Sequence, residues 1–510
     1  MNYPLDGQEN PSNMKFLSLA VISTLALAVS AAPAPSTTKA KVAILGGGVS
    51  GISAAKNLVA NGITDFVIVE ARDELGGRAH DIEFAGVRVE KGCNWVQGLG
   101  TNPINEMAIK WGLKTVSDNS DNVAFYDNHG PINATKQYNA FWDAYDKANN
   151  IAIKRNSTNQ VDISVRAALD LAGWMPETYV EQAVEFYGFD WEFAENPDVS
   201  SNLYAYVNAD SYDGPFGPDS DGNNFVIDQR GFKYIFLQEA KQFLKDNDPR
   251  LLLNTTVKNI KYSNSGVVIT AKDGSTIEAD YAISTFSLGV LQHNDVTWSP
   301  KLPEWKLVGL DGFHMATYLK LFLSWEKPFW DLNTEYVLYA DPTTRGYYNS
   351  WQNLNGPGFF PQNTTSNIFF VTLTQDQAYR VEAMADADIK EEVMEVIRSM
   401  YGKDIPDPSD MYVPRWHSDP LYRGTYSNWP IGELEQHHVN MKAPVQRVWF
   451  TGEAMSRDYY GFLQGAWIDG GEVGTKVAQC IKSSCPKQPY YPTIKLTNDS
   501  PSFVKRQEWL

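Results

Sequence analysis

Cysteine is scarce in this chain, three residues in 510, at positions 93, 480 and 485. No cysteine–histidine cluster has the spacing of a metal site, so none is expected. Positive charge is also short. Forty-three Lys and Arg stand against 61 Asp and Glu, a net charge of −18. That balance argues against nucleic acid or an anionic membrane surface as partner and is compatible with a cationic substrate, although a solvated acidic surface accounts for most of the charges. Long apolar runs are missing as well. Phe16–Val29, behind Lys15, is fourteen residues long, below the roughly 20 that a membrane-spanning helix needs. Small residues follow at Ser30, Ala31 and Ala32, so residues 1–32 read as a signal peptide and leader, cleaved near Ala31 or Ala32. The expected product is secreted (extracellular), with no membrane attachment after cleavage. Five N-x-S/T sequons, at Asn133, Asn156, Asn254, Asn363 and Asn498, fit export. Cys480 and Cys485 either close a small disulfide after export or stand as two thiols, and Cys93 reads as a small buried residue. No internal repeat is visible.

What is present is the material of a large globular enzyme: 43% hydrophobic and 13% aromatic residues over a length suited to two or three domains. The stretch "VAILGGGVSGISAAKNL", residues 42–58, reads as a buried strand, a tight loop and a helix. Gly46, Gly48 and Gly51 make G-x-G-x-x-G in that setting. The first permits the turn, the second lets a pyrophosphate approach the backbone, and the third lets helix and strand pack closely. A second strand, Phe66–Val69, ends at Glu70, nineteen residues after Gly51, where a carboxylate can accept both ribose hydroxyls of an adenosine. A second glycine pair, Gly76-Gly77, followed by Arg78, suits another close approach to a long cofactor.

With these come "VEARDELGGR", "GCNWVQG", "DWEFAE", "DQRGF", "ISTFSLGVL", "TYLKLF", "VPRWHSDPLYRGTYSNWP" and "VWFTGEAMSRDYYGFLQGA", in that order along the chain. In this the sequence resembles the flavin amine oxidase family, and within it the polyamine oxidases. The resemblance implies an α/β fold: a Rossmann-like FAD-binding domain assembled from residues 38–108, 224–296 and 424–484, and an α+β substrate-binding domain from 109–223 and 297–423. Residues 485–510 read as a mobile tail. In the first domain "TTVKNIKYSNSGVVITAKDGSTIEADYAIST" alternates polar and apolar residues around Asp273-Gly274, the pattern of a strand meander. "RVWFTGEA" reads as a buried strand, followed by a helix from about Leu463 to Ile481. The resemblance further implies that FAD contacts Arg72, Gly77, Arg78, Val257, Trp416 and Glu453. No cysteine stands in "YRGTYSNW", where covalently linked amine oxidases carry their flavin-bearing residue nearby, so the FAD is expected to be non-covalent.

On a strand, Tyr318, Lys320 and Phe322 share one face. Read alone, that lysine protects a sheet edge or is a buried functional ammonium. The resemblance implies the second, a lysine that holds a water against flavin N5. It also implies that Tyr426 and Phe462 are two rings facing each other before the flavin, able to grip an amine, and that Glu192, beside Phe193, is a carboxylate receptor for a cation. Plant polyamine oxidases have a glutamate where this chain has Gln97, so a second charge is missing there. The activity implied is oxidation of polyamines of the spermine and spermidine class by O2 to aldehyde, amine and H2O2. Monoamine oxidation is the near alternative. An L-amino-acid oxidase would need an arginine clamp, for which Arg415 and Arg423 are candidates, and a flavin-binding protein without turnover is the reading outside enzymes.

Overall fold

Four consecutive apolar residues decide where the first sheet sits. In the computed structural model, which describes residues 36–209, 216–360 and 367–494, Val42 to Leu45 are fully buried at the end of strand β1, Thr37–Leu45. A strand apolar on both faces belongs inside a parallel sheet covered on both sides. β1 pairs in parallel with β2, Phe66–Val69, and with Thr276–Ser284. The eight-stranded sheet runs Leu251–Leu252, β2, β1, Thr276–Ser284, Gly266–Ala271, Val257–Ser263 and Thr297–Ser299, with Val448–Phe450 joined to Thr276–Ser284. The meander forms with antiparallel neighbours, and its last strand also completes the parallel half. Thr297–Ser299, which the boundary at residue 297 gave to the substrate region, is instead the edge strand of this sheet, pairing with Val257–Ser263.

Helix α1, Val49–Ala60, and the helix Leu463–Lys482 lie together against the sheet. Their contact is backbone to backbone. A Cβ on Gly470 would come within 2.3 Å of the Ser50 carbonyl, and one on Gly474 within 2.4 Å of that of Ala54. Small residues on both helices are what permit the approach.

The second sheet has seven strands, in the order Asp410–Tyr412, Tyr318–Trp325, Asn367–Thr374, Ser350–Asn353, Tyr336–Ala340, Val123–Asp127 and Gly130–Ile132. Leu319, Leu321 and Leu323 face a core completed by Ile389, Val393 and Ile397 of the helix Asp386–Tyr401. Phe322, on the opposite face, packs with Phe84 and Phe370. The helix-rich block 109–223 thus also contributes a hairpin, Val123–Ile132, to a sheet made mostly of later residues. Its helix Tyr179–Glu185 runs into a π-turn at Phe186–Asp190 and then the short helix Trp191–Phe193. Gly188 is required there, because a Cβ would meet the Phe141 ring at 2.1 Å. Arg345 donates to both Asp190 oxygens at 2.6 Å and to Glu185 at 3.0 Å, fixing the turn from the second sheet's side.

Two expectations at the chain's end are corrected or resolved. Cys480 and Cys485 are joined as a disulfide. The start of the expected mobile tail is docked: Asn440 and Tyr491 exchange two hydrogen bonds, and Tyr490 packs on Trp305. Those polar and ring contacts outweigh the loop-like composition of the segment. The leader, Asn363, Asn498 and residues 495–510 lie outside the described residues. Among the described residues no helix is long and apolar enough to cross a membrane.

Candidate active site

The start of α1 is built to receive an anion. Among the described residues no side chain caps its first turn, so backbone N–H groups at a positive helix end stay available. Gly46 adopts φ +114°, and a Cβ there would strike Thr285 Oγ1 at 2.3 Å. Gly51 would bring a Cβ to 2.1 Å from the Gly46 carbonyl, so it allows the loop to fold onto the helix. The second glycine pair lies alongside: Gly48 bridges Gly76, and a Cβ on Gly77 would sit 3.0 Å from the Gly48 Cα. Two stretches of bare backbone face each other, as a pyrophosphate site requires. Glu70 Oε2 accepts from Gly47 N at 2.7 Å and Oε1 from Arg72 N at 2.8 Å, which fixes the carboxylate at the end of β2. Burial pushes its pKa up, against the pull of those backbone donors.

These groups open into one cavity of about 490 Å³ that continues between the two sheets. Its lining contains Gly46, Gly48, Glu70, Arg72, Gly77, Arg78, Val257, Trp416 and Glu453 from the expected cofactor set. It also contains Lys320, Tyr426, Phe462, Glu192, Gln97, Phe193 and Tyr318 from the expected reaction and substrate sets. Gly51 alone stands behind the wall. Residues as far apart as 46 and 462 therefore meet in one space, and its bare-backbone cradle with an adjacent ribose-facing carboxylate fits a long dinucleotide such as FAD.

Glu453 ties the cavity segments together. Its Oε1 accepts from Arg78 at 2.8 Å, and its Oε2 accepts from Ser427 Oγ at 2.6 Å and Gly461 N at 2.9 Å. Arg78 also donates to the Thr425 carbonyl at 2.6 Å. Trp416 is held by its indole N–H on the Lys91 carbonyl and by the Tyr422 ring at 4.8 Å.

Lys320 is the buried ammonium of the pair of alternatives, 2% exposed. Its Nζ donates to the Glu90 carbonyl at 2.6 Å, to the Gly92 carbonyl and to Asn94 Oδ1 at 2.9 Å. Burial holds its pKa down to about 7, partly offset by the neighbouring Glu90 carboxyl, which burial pushes up to about 8. Tyr318 shares its strand face and lies 6.0 Å from the Tyr426 ring. The Tyr426 hydroxyl donates to the Glu192 carbonyl at 2.8 Å, so the aromatic wall is anchored to the segment carrying the acidic side chain. A Cβ on Gly461 would touch the Tyr426 ring, and the next residue, Phe462, caps the start of the last helix and lines the same cavity. The Glu192 carboxyl accepts from Gln97 Nε2 at 3.3 Å; burial first, then the charge of Asp118, pushes its pKa up to about 7. Cys93 fronts the same cavity, but burial pushes its pKa up to about 12 and its Sγ–H points to the Arg78 carbonyl, so it is a thiol and not a nucleophile.

Sequence reasoning missed Asp118, Tyr187 and Trp191, all in the cavity wall. Asp118 sits in "SDNSD", which has the composition of a turn and no period. Pairing between segments distant in the chain brings it to the site: Thr115–Ser117 with Asn223–Val226 on one side and Val123–Asp127 with Tyr336–Ala340 on the other.

A parallel sheet with a glycine cradle at its strand ends, opening into an enclosed cavity with a buried lysine and aromatic walls, defines a dinucleotide-dependent oxidoreductase. A family model for flavin containing amine oxidoreductase matches residues 49–478. Polyamine oxidase 1 of Zea mays is 37% identical over 504 residues, covering 93% of this chain and 98% of that one. Polyamine oxidase 7 of Oryza sativa subsp. japonica is 38% identical, covering 89% and 98%. A solved putrescine oxidase bound to putrescine has the same fold, with a TM-score of 0.69 and 18% identity over 88% of this chain and 100% of that one. The chain belongs to the flavin-containing amine oxidoreductases. It is an FAD-dependent amine oxidase whose cofactor is held without a covalent bond.

Proposed function

We propose that this enzyme is secreted and oxidises polyamines of the spermine and spermidine class with O2, giving an aldehyde, an amine and H2O2. The observation that carries the substrate class is Glu192, a carboxyl in the cavity wall whose only hydrogen-bond donor among the described residues is an uncharged amide. A substrate with a second, protonated nitrogen supplies the charge that this carboxyl lacks. The polyamine oxidases at 37–38% identity support the same class.

Bound FAD supplies the two-electron acceptor for the C–H bond beside nitrogen and the site at which O2 is reduced. Gly46, Gly48, Gly77 and the helix end would hold its pyrophosphate, Glu70 its ribose, and Arg78 with Glu453 the middle of the molecule. Tyr426, Phe462 and Tyr318 orient the amine and keep water off the reacting carbon. Lys320, whose pKa burial lowers, lines the cavity and is the group we assign to proton movement at Nζ. The oxidised unit, now a C=N bond, takes up water at carbon, and its C–N bond then breaks to leave the aldehyde and the amine.

The amino-acid oxidase alternative loses its clamp. Arg415 is spent on the Glu382 and Met384 carbonyls and Asp386, and Arg423 is bidentate on Asp295. Neither lines the cavity. A peroxide assay of the purified enzyme over spermine, spermidine, benzylamine and a short alkylamine tests the proposal. If a monoamine outperforms every polyamine at low salt, the polyamine assignment fails. Export is supported by the sequons, of which Asn133 and Asn254 are exposed. Mass analysis of the product from a eukaryotic host should find the N-terminus near residue 32 and a glycan on one of them.

A further inference from the structure

Away from Lys320 the cavity wall changes character. It contains Asp118 and Ser120 beside Tyr187, Trp191 and Glu192. Asp118 Oδ1 accepts from the Tyr336 hydroxyl at 2.6 Å, and the Ser120 carbonyl accepts from the Tyr187 hydroxyl at 2.8 Å. The rings of Tyr187, Trp191 and Tyr336 pack on one another at 5.3–5.7 Å. Behind Asp118 stands Glu335, 7% exposed. Its Oε2 accepts from Asn119 N at 3.2 Å, and its carboxyl is hydrogen-bonded with that of Asp118, which requires a proton between the two.

Among the described residues, no lysine or arginine forms an ion pair with Asp118, Glu335 or Glu192. Asp118 and Glu192 line one region of the cavity, with Glu335 behind Asp118, and no protein cation pairs with any of the three among the described residues. Buried carboxyls without partners are costly unless neutralised. Burial first, then the charge of Asp118, raises the Glu192 pKa to about 7; burial first, then the hydrogen bond with Asp118 and its charge, raises that of Glu335 to about 8. Carboxylates framed by aromatic faces are the chemistry that recognises an alkylammonium, through ion pairing at the head and ring contact along the stem.

We propose that Asp118, with Glu335 behind it and Tyr187 and Trp191 as walls, is the receptor for the far amino group of the substrate. It supplies the second charge that Gln97 does not. Glu192 then meets an inner nitrogen or the near part of the chain, and Asp118 sets how long a diamine must be to reach both ends. Asp118 and Glu335 act on binding and touch no reacting atom. The inference rests on the polyamine reading and adds to it which residue selects chain length.

The test uses oxidised holoenzyme and two non-physiological probes, 1,8-diaminooctane and octylamine, with binding followed by perturbation of the flavin absorbance. Wild type should bind the diamine more tightly. Asp118→Asn should weaken the diamine by about tenfold, the value of one partly desolvated charge contact, while octylamine shifts by about twofold or less. Glu335→Gln, which keeps shape and the hydrogen bond to Asp118, should weaken the diamine by a smaller factor at about pH 9, where Glu335 is ionised, and leave it within about twofold at about pH 6.5. Equal loss of both probes in either variant would mean a structural role and overturn the proposal. A wild type that prefers the diamine, with Asp118→Asn unchanged, overturns it too and leaves the polyamine reading standing. A wild type that binds both probes alike removes the polyamine reading and the proposal with it.

Discussion

At the scale of single residues, burial and charge set what the site can do. Lys320 is held by three acceptors, and burial lowers its pKa, so the group is rigidly placed and gives up a proton more readily than a lysine in water. Lys320→Met should retain FAD and lose turnover by about one to three orders of magnitude, the usual effect of removing a positioned proton-transfer group. Unchanged turnover with the best amine would make the lysine structural. Glu192 carries a pH prediction. Its pKa is raised to about 7, so its charge is present above that pH and lost as pH falls through it. The ratio of kcat/KM for spermidine to that for hexylamine should therefore be highest at about pH 8 and shrink by up to about tenfold toward pH 5.5, because kcat/KM reports free-enzyme ionisations. Glu192→Gln should flatten the profile. A flat profile in the wild type would remove Glu192 as a charged receptor. These residue types were legible in the sequence only through motif resemblance: Lys320 on its strand face was open to two readings until its neighbours were known, and Asp118 carried no signal at all.

At the scale of elements, the sequence was most readable where contacts are local. The glycine loop, α1, β2 and the meander all form where their patterns place them, because turn geometry and strand alternation are properties of adjacent residues. The helix that follows "RVWFTGEA" is Leu463–Lys482, within a residue of its expected end. The π-turn at Phe186–Asp190 was not legible, since it depends on Gly188 meeting Phe141 and on Arg345 reaching over from a strand region far along the chain. Gly51→Ala tests the first element directly. The added methyl would lie 2.1 Å from the Gly46 carbonyl, and overpacking of this kind costs about 1–3 kcal/mol. FAD affinity should fall by about ten- to hundredfold, read as flavin content after dialysis and by titration of the apoprotein. Full flavin content would show that the loop can shift without losing its ligand.

At the scale of the whole molecule, the cavity lies between two sheets and is walled by residues from 46 to 466, so FAD held there would touch segments from both ends of the chain. Acid precipitation should release the flavin into the supernatant; flavin retained on the pellet would overturn the non-covalent linkage. Removing FAD from the native enzyme should lower its melting temperature and adding it back should restore it, since a ligand at about 100 times its Kd stabilises by about 2.7 kcal/mol. By itself the sequence determined the family, the cofactor loop and the acidic balance, because those are written in short motifs whose geometry is local and in composition. Tertiary structure alone decided that Thr297–Ser299 completes the first sheet, that the tail docks at Tyr491 and that Asp118 stands in the cavity wall with Glu335 behind it. Each depends on pairing between segments distant in the chain. Such pairing is selected by which buried surfaces and backbone groups satisfy one another on folding, and no window of adjacent residues contains that information.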